Sequence, residues 1–361
     1  MRGSNMHILF LADASSVHSY RWIKYFSEKG GLRVTWCSFS QATMPELKNV
    51  EYKFIDKGSL LGLLRAFRYI SGKSPDIIHA HYLGWNGLLS LFFPKSRLVL
   101  TAWGTDIVYN SKKRLMRFFI KRMMKRADLI TCDAHHLRNK MIALGAPREN
   151  VEIVMFGIDE NLFVSKRPPF TSSGEKVKFI VGSIRNLHPV YDVITLLKAA
   201  KIILSTRDDV EFNIAGTGPE LKNLEDYVGQ NDLSYRVKFL GRIESSKLCE
   251  FYDDLDIYVS TSLSDGGIAS STAEAMLCER PVAITNNAEN SFWVKDHHNG
   301  RMFESYDHVE LANIILELIE KQNIAIKLGL EAKEIITQRF LYKNEMKKMY
   351  KWYKKLVKTI S

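Results

Sequence analysis

The chain reads as an α/β protein made of two successive Rossmann-like, doubly wound domains, and three observations lead there. Short β-rich apolar runs alternate with amphipathic helical stretches from the first residues, one polar, proline-containing break interrupts the alternation, and the alternation then starts again. At 361 residues and 41.5 kDa the chain is too long for one ordinary core and suits two domains of about 150 to 180 residues each.

Strands are expected at His7 to Ala12, Leu32 to Ser38, Glu51 to Asp56, Asp76 to Ala80, Arg97 to Thr101, Asp128 to Cys132 and Val151 to Val154. Helical periodicity lies between them, at Ser19 to Lys29 and Leu60 to Gly72 for example. The stretch Ser165 to Glu175 (SKRPPFTSSGE) reads as the interdomain linker. Beyond it, strands are expected at Val177 to Gly182, Val210 to Ala215, Arg236 to Leu240, Asp256 to Ser260 and Pro281 to Thr285, with helices beginning near Tyr191, Pro219, Ser245 and Ser270. Long helices are expected from Tyr306 to the end. This places the domains at 6–165 and 176–340, with the C-terminal helix of 341–361 packing back on the first domain. Met1 to Asn5 precede the pattern and are set aside as a leader. Ligands of open α/β sheets sit outside the carboxyl ends of the strands, so two such sheets facing each other would bind theirs in a central cleft.

Composition narrows the class. Four cysteines (Cys37, Cys132, Cys249, Cys278) stand far apart with no C-x-x-C pair, which suggests neither a zinc site nor a disulfide framework and fits a reducing compartment. The apolar run Ile8 to Ala12 is too short for a signal peptide and nothing reaches the ~18 residues of a membrane span, so a cytoplasmic protein is expected. The net charge of +11 is uneven: Lys112 to Arg126 (KKRLMRFFIKRMMKR) and Lys343 to Lys358 mix cations with Met and aromatic residues. Either run suits an anionic membrane surface, peripherally bound, or a polyanionic ligand, or else is a helix whose apolar stripe packs on its own domain. Nucleic acid is not expected, because no helix-turn-helix, zinc-finger or RNA-binding signature accompanies the charge.

The most informative segment is Ser260 to Val282 (STSLSDGGIASSTAEAMLCERPV). A strand ends, a loop through Asp265, Gly266 and Gly267 follows, and a helix is expected to begin near Ser270 with Glu274 in its first turn. Unpaired amides over Gly266, Gly267, Ile268, Ala269, Ser270 and Ser271 would make a diphosphate site, favoured by the helix dipole. Glu274 could then accept ribose hydroxyls; it could equally close a capping box with Ser271. Asp253-Asp254-Leu255-Asp256 superficially offers a metal-binding D-x-D, although no metal is needed on this reading and no cofactor is expected.

Here the sequence resembles glycosyltransferase family 4, of the GT-B fold, in its bacterial surface-glycan branch. The family's E-A-M/L-A-x-G-x-P-V stands as Glu274-Ala275-Met276-Leu277-Cys278-Glu279-Arg280-Pro281-Val282, with Glu279 in place of Gly. Asp76-Ile-Ile-His-Ala-His81, Ala127-Asp128-Leu129-Ile130 and Val154-Met-Phe-Gly157-Ile158-Asp159 through Phe163 look like first-domain motifs of the family. Ala215-Gly216-Thr217-Gly218-Pro219 and Val237 to Gly241-Arg242-Ile243 look like loops flanking the nucleotide. The resemblance implies an acceptor-binding first domain, a donor-binding second domain, and a nucleotide-sugar donor, expected to be a UDP-sugar, used to extend a glycan or lipid-linked acceptor in surface polysaccharide synthesis. It implies retention of anomeric configuration without a metal. Arg185 would meet the pyrophosphate, while Tyr191 stands where the family has Lys; Glu274 would hold the ribose and Asp265 the donor sugar. The family's first-domain Gly-Gly and His-Gly pairs are replaced by Ser15-Ser16 and Trp103-Gly104, leaving His18 and Asp106 as polar candidates there and His79 and His81 as either functional or structural groups. These substitutions also admit a catalytically silent, membrane-associated assembly partner of the same fold.

Overall fold

The structure, a computed structural model, describes residues 6–170, 178–265, 267–287 and 289–358. Gly266, the first five residues and positions 171–175 of the expected linker lie outside the described residues. In chain order the elements are β1 (Met6–Leu11), α1 (Val17–Ser27), β2 (Leu32–Ser38), β3 (Val50–Phe54), α2 (Leu60–Lys73), β4 (Ile77–His81), α3 (Trp85–Ser90), β5 (Arg97–Ala102), α4 (Thr105–Val108), α5 (Arg114–Arg126), β6 (Leu129–Cys132), α6 (His135–Ala143) and β7 (Val151–Ile153). They continue with β8 (Phe179–Ile184), α7 (Val193–Leu204), β9 (Val210–Ala215), α8 (Leu221–Gln230), β10 (Val237–Gly241), α9 (Leu248–Asp254), β11 (Ile257–Ser260), α10 (Ser270–Leu277), β12 (Val282–Thr285), α11 (Asn290–Trp293), β13 (Arg301–Phe303), α12 (His308–Glu320), α13 (Gln322–Arg339) and α14 (Tyr342–Lys358).

The chain divides into two compact units, Met1–Phe156 with Lys343–Ser361, and Gly157–Tyr342. The first unit holds a seven-stranded parallel sheet in the order β3-β2-β1-β4-β5-β6-β7, and the second a six-stranded parallel sheet in the order β10-β9-β8-β11-β12-β13. Both are doubly wound, as the alternating pattern predicts. Sequence reading missed β13, whose three residues Arg301–Phe303 are too few to show periodicity.

Buried strands explain the apolar runs. Leu9, Ile78, Leu98 and Ile130 face a core covered by α2, α3 and α5, while Phe10, His79 and Thr101 lie on the alternate register of the same strands. Met346, Met349 and Tyr353 of α14 are buried in the first unit, where the Tyr353 hydroxyl meets His79 Nδ1 at 2.5 Å. The basic run of α14 therefore uses its apolar stripe on its own unit.

Acids just before strands fasten the sheets at the ends remote from the ligand-binding side. Asp76 accepts from the amide of His7, Asp128 from Leu98, and Asp256 from both Phe170 and Ile180. This gives the D-I-I-H and A-D-L-I motifs a structural meaning, since each carboxylate satisfies a backbone donor at the start of the neighbouring strand. Asp253 likewise accepts from the amide of Lys166, so the D-x-D stretch is engaged by backbone.

Candidate functional site

In the second unit the loops after β8, β9 and β11 come together. The main chain after β8 carries Arg185 and returns through Tyr191; Thr261 Oγ1 donates to Tyr191 O at 2.8 Å and Leu263 N to Val190 O at 2.8 Å, so the loop before α10 is fastened to it. Gly216 sits beneath at φ +131°, and a Cβ there would lie 1.8 Å from the Arg185 carbonyl oxygen. Gly218 is equally confined, by the Leu187 carbonyl. Both glycines thus seat the Arg185 loop on the end of β9. Gly241, at φ +63°, accepts from Gly216 N at 2.7 Å and brings the partly buried Ile243 and exposed Arg242 to the same edge.

Arg185 is almost enclosed. Its guanidinium lies 4.3 Å from the Tyr191 ring centroid, forms an ion pair with Asp265 and reaches Ser271 Oγ at 3.4 Å. Burial works against its charge, but Asp265 more than offsets this and holds the group firmly protonated. Tyr258, fully buried, donates to Ser271 Oγ at 2.8 Å, and Tyr252 donates to Glu274 Oε2 at 2.8 Å. Helix α10 begins at Ser270 with Ala269 as its cap residue, and among the described residues no side chain caps it, which suits its first amides to an outside acceptor. Ile268 and Ala269 are buried beneath the turn and Gly267 is partly buried. Glu274 stands in the second turn rather than the first and bonds Tyr252, so it makes no capping box. A guanidinium beside an uncapped helix N-terminus is suited to a phosphate.

In the first unit a cavity of about 610 Å³ opens at the carboxyl end of the sheet, lined by Asp13, His18, His81, Trp85, Trp103 and Phe156 among others. Ser15 and Ser16 explain themselves here: Ser15 bonds Asp13 through its amide and hydroxyl, and Ser16 caps α1. His18 lies 5.5 Å from the Trp103 ring and 5.1 Å from that of Phe156, and burial, with Arg21, lowers its pKa. His81 is buried with Nδ1 3.4 Å from Ser19 Oγ, and among the described residues its Nε2 has no hydrogen-bond partner. Asp106 does not line the cavity. It is fully enclosed and accepts from the amides of Leu83, Trp103 and Ile107, ordering the loop that carries Trp103; burial pushes its pKa up to about 6.

Residues 7–134 match the family described as Glycosyl transferase 4-like, and residues 168–335 match Glycosyl transferases group 1. The chain belongs to the GT-B glycosyltransferases of the family 4 type. An uncharacterized glycosyltransferase of Methanocaldococcus jannaschii is 26% identical over 80% of the chain and 77% of its own length. The N-acetyl-alpha-D-glucosaminyl L-malate synthase of Bacillus anthracis is 24% identical over 73% and 71%. Anabaena HepE, solved in complex with UDP, shares the fold at a TM-score of 0.79 and 20% identity, covering 97% of this chain and 100% of its own.

Within this glycosyltransferase the structure brings Arg185, Asp265, Ser271 and the α10 start together, with Gly216 and Gly218 as supports and Arg242 at the rim. His18 lines the first-unit cavity. Sequence reading missed Tyr252, Tyr258 and Trp85. Tyr252 lies in α9 and Tyr258 inside β11, where an aromatic reads as core, and no spacing distinguishes a buried hydroxyl that bonds Glu274 or Ser271. Trp85 opens α3 directly after β4, and that place beyond a strand's carboxyl end was the available signal.

Proposed function

We propose that this glycosyltransferase moves a sugar from a UDP-sugar to a glycan or lipid-linked acceptor in surface polysaccharide synthesis, with retention of anomeric configuration. The observation that carries the reading is Arg185, charged and nearly enclosed beside the uncapped start of α10. There the diphosphate would take over the guanidinium from Asp265 and accept from the first helix amides, so these groups, rather than a metal, would meet the phosphate charge. Glu274, fixed by Tyr252, would receive the ribose hydroxyls, and Asp265, once released, would contact the donor sugar.

In the proposed front-face step the bond from the anomeric carbon to the diphosphate oxygen breaks. The acceptor oxygen bonds to the same face, and its proton passes to a phosphate oxygen of the leaving group. Arg185 would stabilise the negative charge developing there. The first-unit cavity, with Trp85 and Trp103 as apolar ring surfaces and Asp13 as a hydrogen-bond acceptor, fits a sugar acceptor. His18 and His81, held neutral by burial, would contribute hydrogen bonds there rather than charge.

The test is steady-state transfer with a panel of UDP-, GDP-, ADP- and dTDP-sugars, on wild type and Glu274→Gln. Glutamine still accepts from Tyr252 but lacks the charge. Donor KM is expected to rise about tenfold or more with the melting midpoint close to wild type. A fallen midpoint with unchanged donor KM would assign Glu274 to structure instead.

A further inference from the structure

Residues 57–127 hold fourteen Lys and Arg against two acids, Asp76 and Asp106, a net +12 beside +11 for the whole chain. Outside this stretch the first unit adds +7, most of it on α14, and the second unit is −8, so 57–127 holds most of the excess of a basic first unit. Asp106 is enclosed and Asp76 binds the His7 amide, while α2, α3 and α5 contain no acidic residue. The three helices cover one face of the first unit's sheet: Ala66 and Ile70, Leu89, and Ile120, Met123 and Met124 share a single core cluster with Leu9, Ile78 and Leu98. They form a continuous layer, with Phe67 stacked on Phe93 at 5.4 Å and Gly87 against the Met123 sulfur.

That layer keeps large apolar side chains on its outer side as well. Leu60, Leu61 and Leu64 of α2, Phe92 just past α3, and Leu115 and Phe118 of α5 are between 51% and 75% exposed. In α14, a helix just as basic, Met346, Met349 and Tyr353 are all turned inward, so cationic helices of this protein do not have to expose their apolar residues. Outward Leu and Phe set among exposed Arg and Lys are what a bilayer interface takes up: rings and aliphatic chains enter the headgroup boundary while the cations meet lipid phosphates.

We infer that the α2–α3–α5 layer is a docking surface for an anionic lipid bilayer. A polyanionic chain would need the cations but would give Leu60, Leu61 and Leu64 nothing to bury against. Trp85 of α3 and Met116 of α5 also line the first-unit cavity, so a lipid-linked acceptor would arrive beside it, a consequence that rests on the acceptor reading of that cavity.

The experiment is co-sedimentation of the full chain with vesicles of phosphatidylglycerol mixed with phosphatidylcholine, and with phosphatidylcholine alone. Wild type should pellet with the anionic vesicles and not with the neutral ones. Two double variants, Leu61→Ser with Leu64→Ser and Arg114→Glu with Lys121→Glu, should each weaken binding about tenfold or more. All four positions are exposed, so unchanged melting midpoints are expected, and UDP-induced stabilisation, which reports on the second unit, should persist in both. Failure to pellet overturns the inference. So does serine-variant binding equal to wild type, which would leave a purely electrostatic site for a soluble polyanion; competition by heparin in that case would identify it.

Discussion

His79 and His81 sit on β4 with rings 4.5 Å apart, enclosed by Phe10 and Trp22. Burial holds both neutral: His79 well below the ordinary value of 6.5, and His81 down to about 3. The unfolded chain takes up a proton on each near pH 6.5, whereas folded His81 stays neutral to about 3, so the unfolded state binds more protons between those values. Stability from these groups is complete above 6.5 and falls with pH, by about 1.4 kcal/mol per pH unit for each histidine. Urea midpoints should drop steeply from pH 7.5 to 5, and His81→Asn should flatten that slope; equal slopes would mean that His81 protonates without cost. At this scale the sequence was partly legible. The place of Arg185 was readable because it follows a strand end, and that of Glu274 because its motif sets it on the helix after β11. The pairing of Arg185 with Asp265 was not readable, since it joins positions 80 residues apart. Tyr191 was visible only as a missing lysine, not as the ring against which the guanidinium lies.

The strand–helix alternation was legible because each buried parallel strand is a short apolar run and each crossover helix has one apolar stripe. Boundaries moved by a residue or two where capping decided them, as at α1, which Ser16 starts two residues before the expected Ser19. Loop packing was beyond periodicity. Gly216 reads as one of two glycines in Ala215 to Pro219, yet it is the one pressed against the Arg185 carbonyl with a positive φ. Gly216→Ala should destabilise the second unit by roughly 2 kcal/mol or more and weaken donor binding by displacing the Arg185 loop. Gly229, near the end of α8, has open space around it, and Gly229→Ala should be neutral or slightly stabilising. Melting midpoints of the two variants check this, and similar midpoints would show that the β9 turn yields easily.

For the molecule as a whole, each unit has its own sheet and its own core, and the chemistry divides along the same line. The second unit concentrates a cation, a helix start without a side-chain cap and a fixed carboxylate, and is net acidic at −8; the first offers an aromatic-lined cavity and a net charge of +19. Two domains were legible from the linker and the restarted alternation. That the run of 112–126 lies in one layer with the outward leucines of α2, while the run of 343–358 turns its apolar stripe inward, was not, because sequence showed two similar basic runs and no outward face for either. The central claim is that Arg185 and the start of α10 recognise a diphosphate. Calorimetric titration of UDP, UMP and uridine into wild type and Arg185→Met addresses it directly. UDP should bind about tenfold or more tightly than UMP to wild type, and the variant should lose that preference while folding normally. Equal affinities for UDP and UMP in wild type, or a preference that survives in Arg185→Met, would contradict the account.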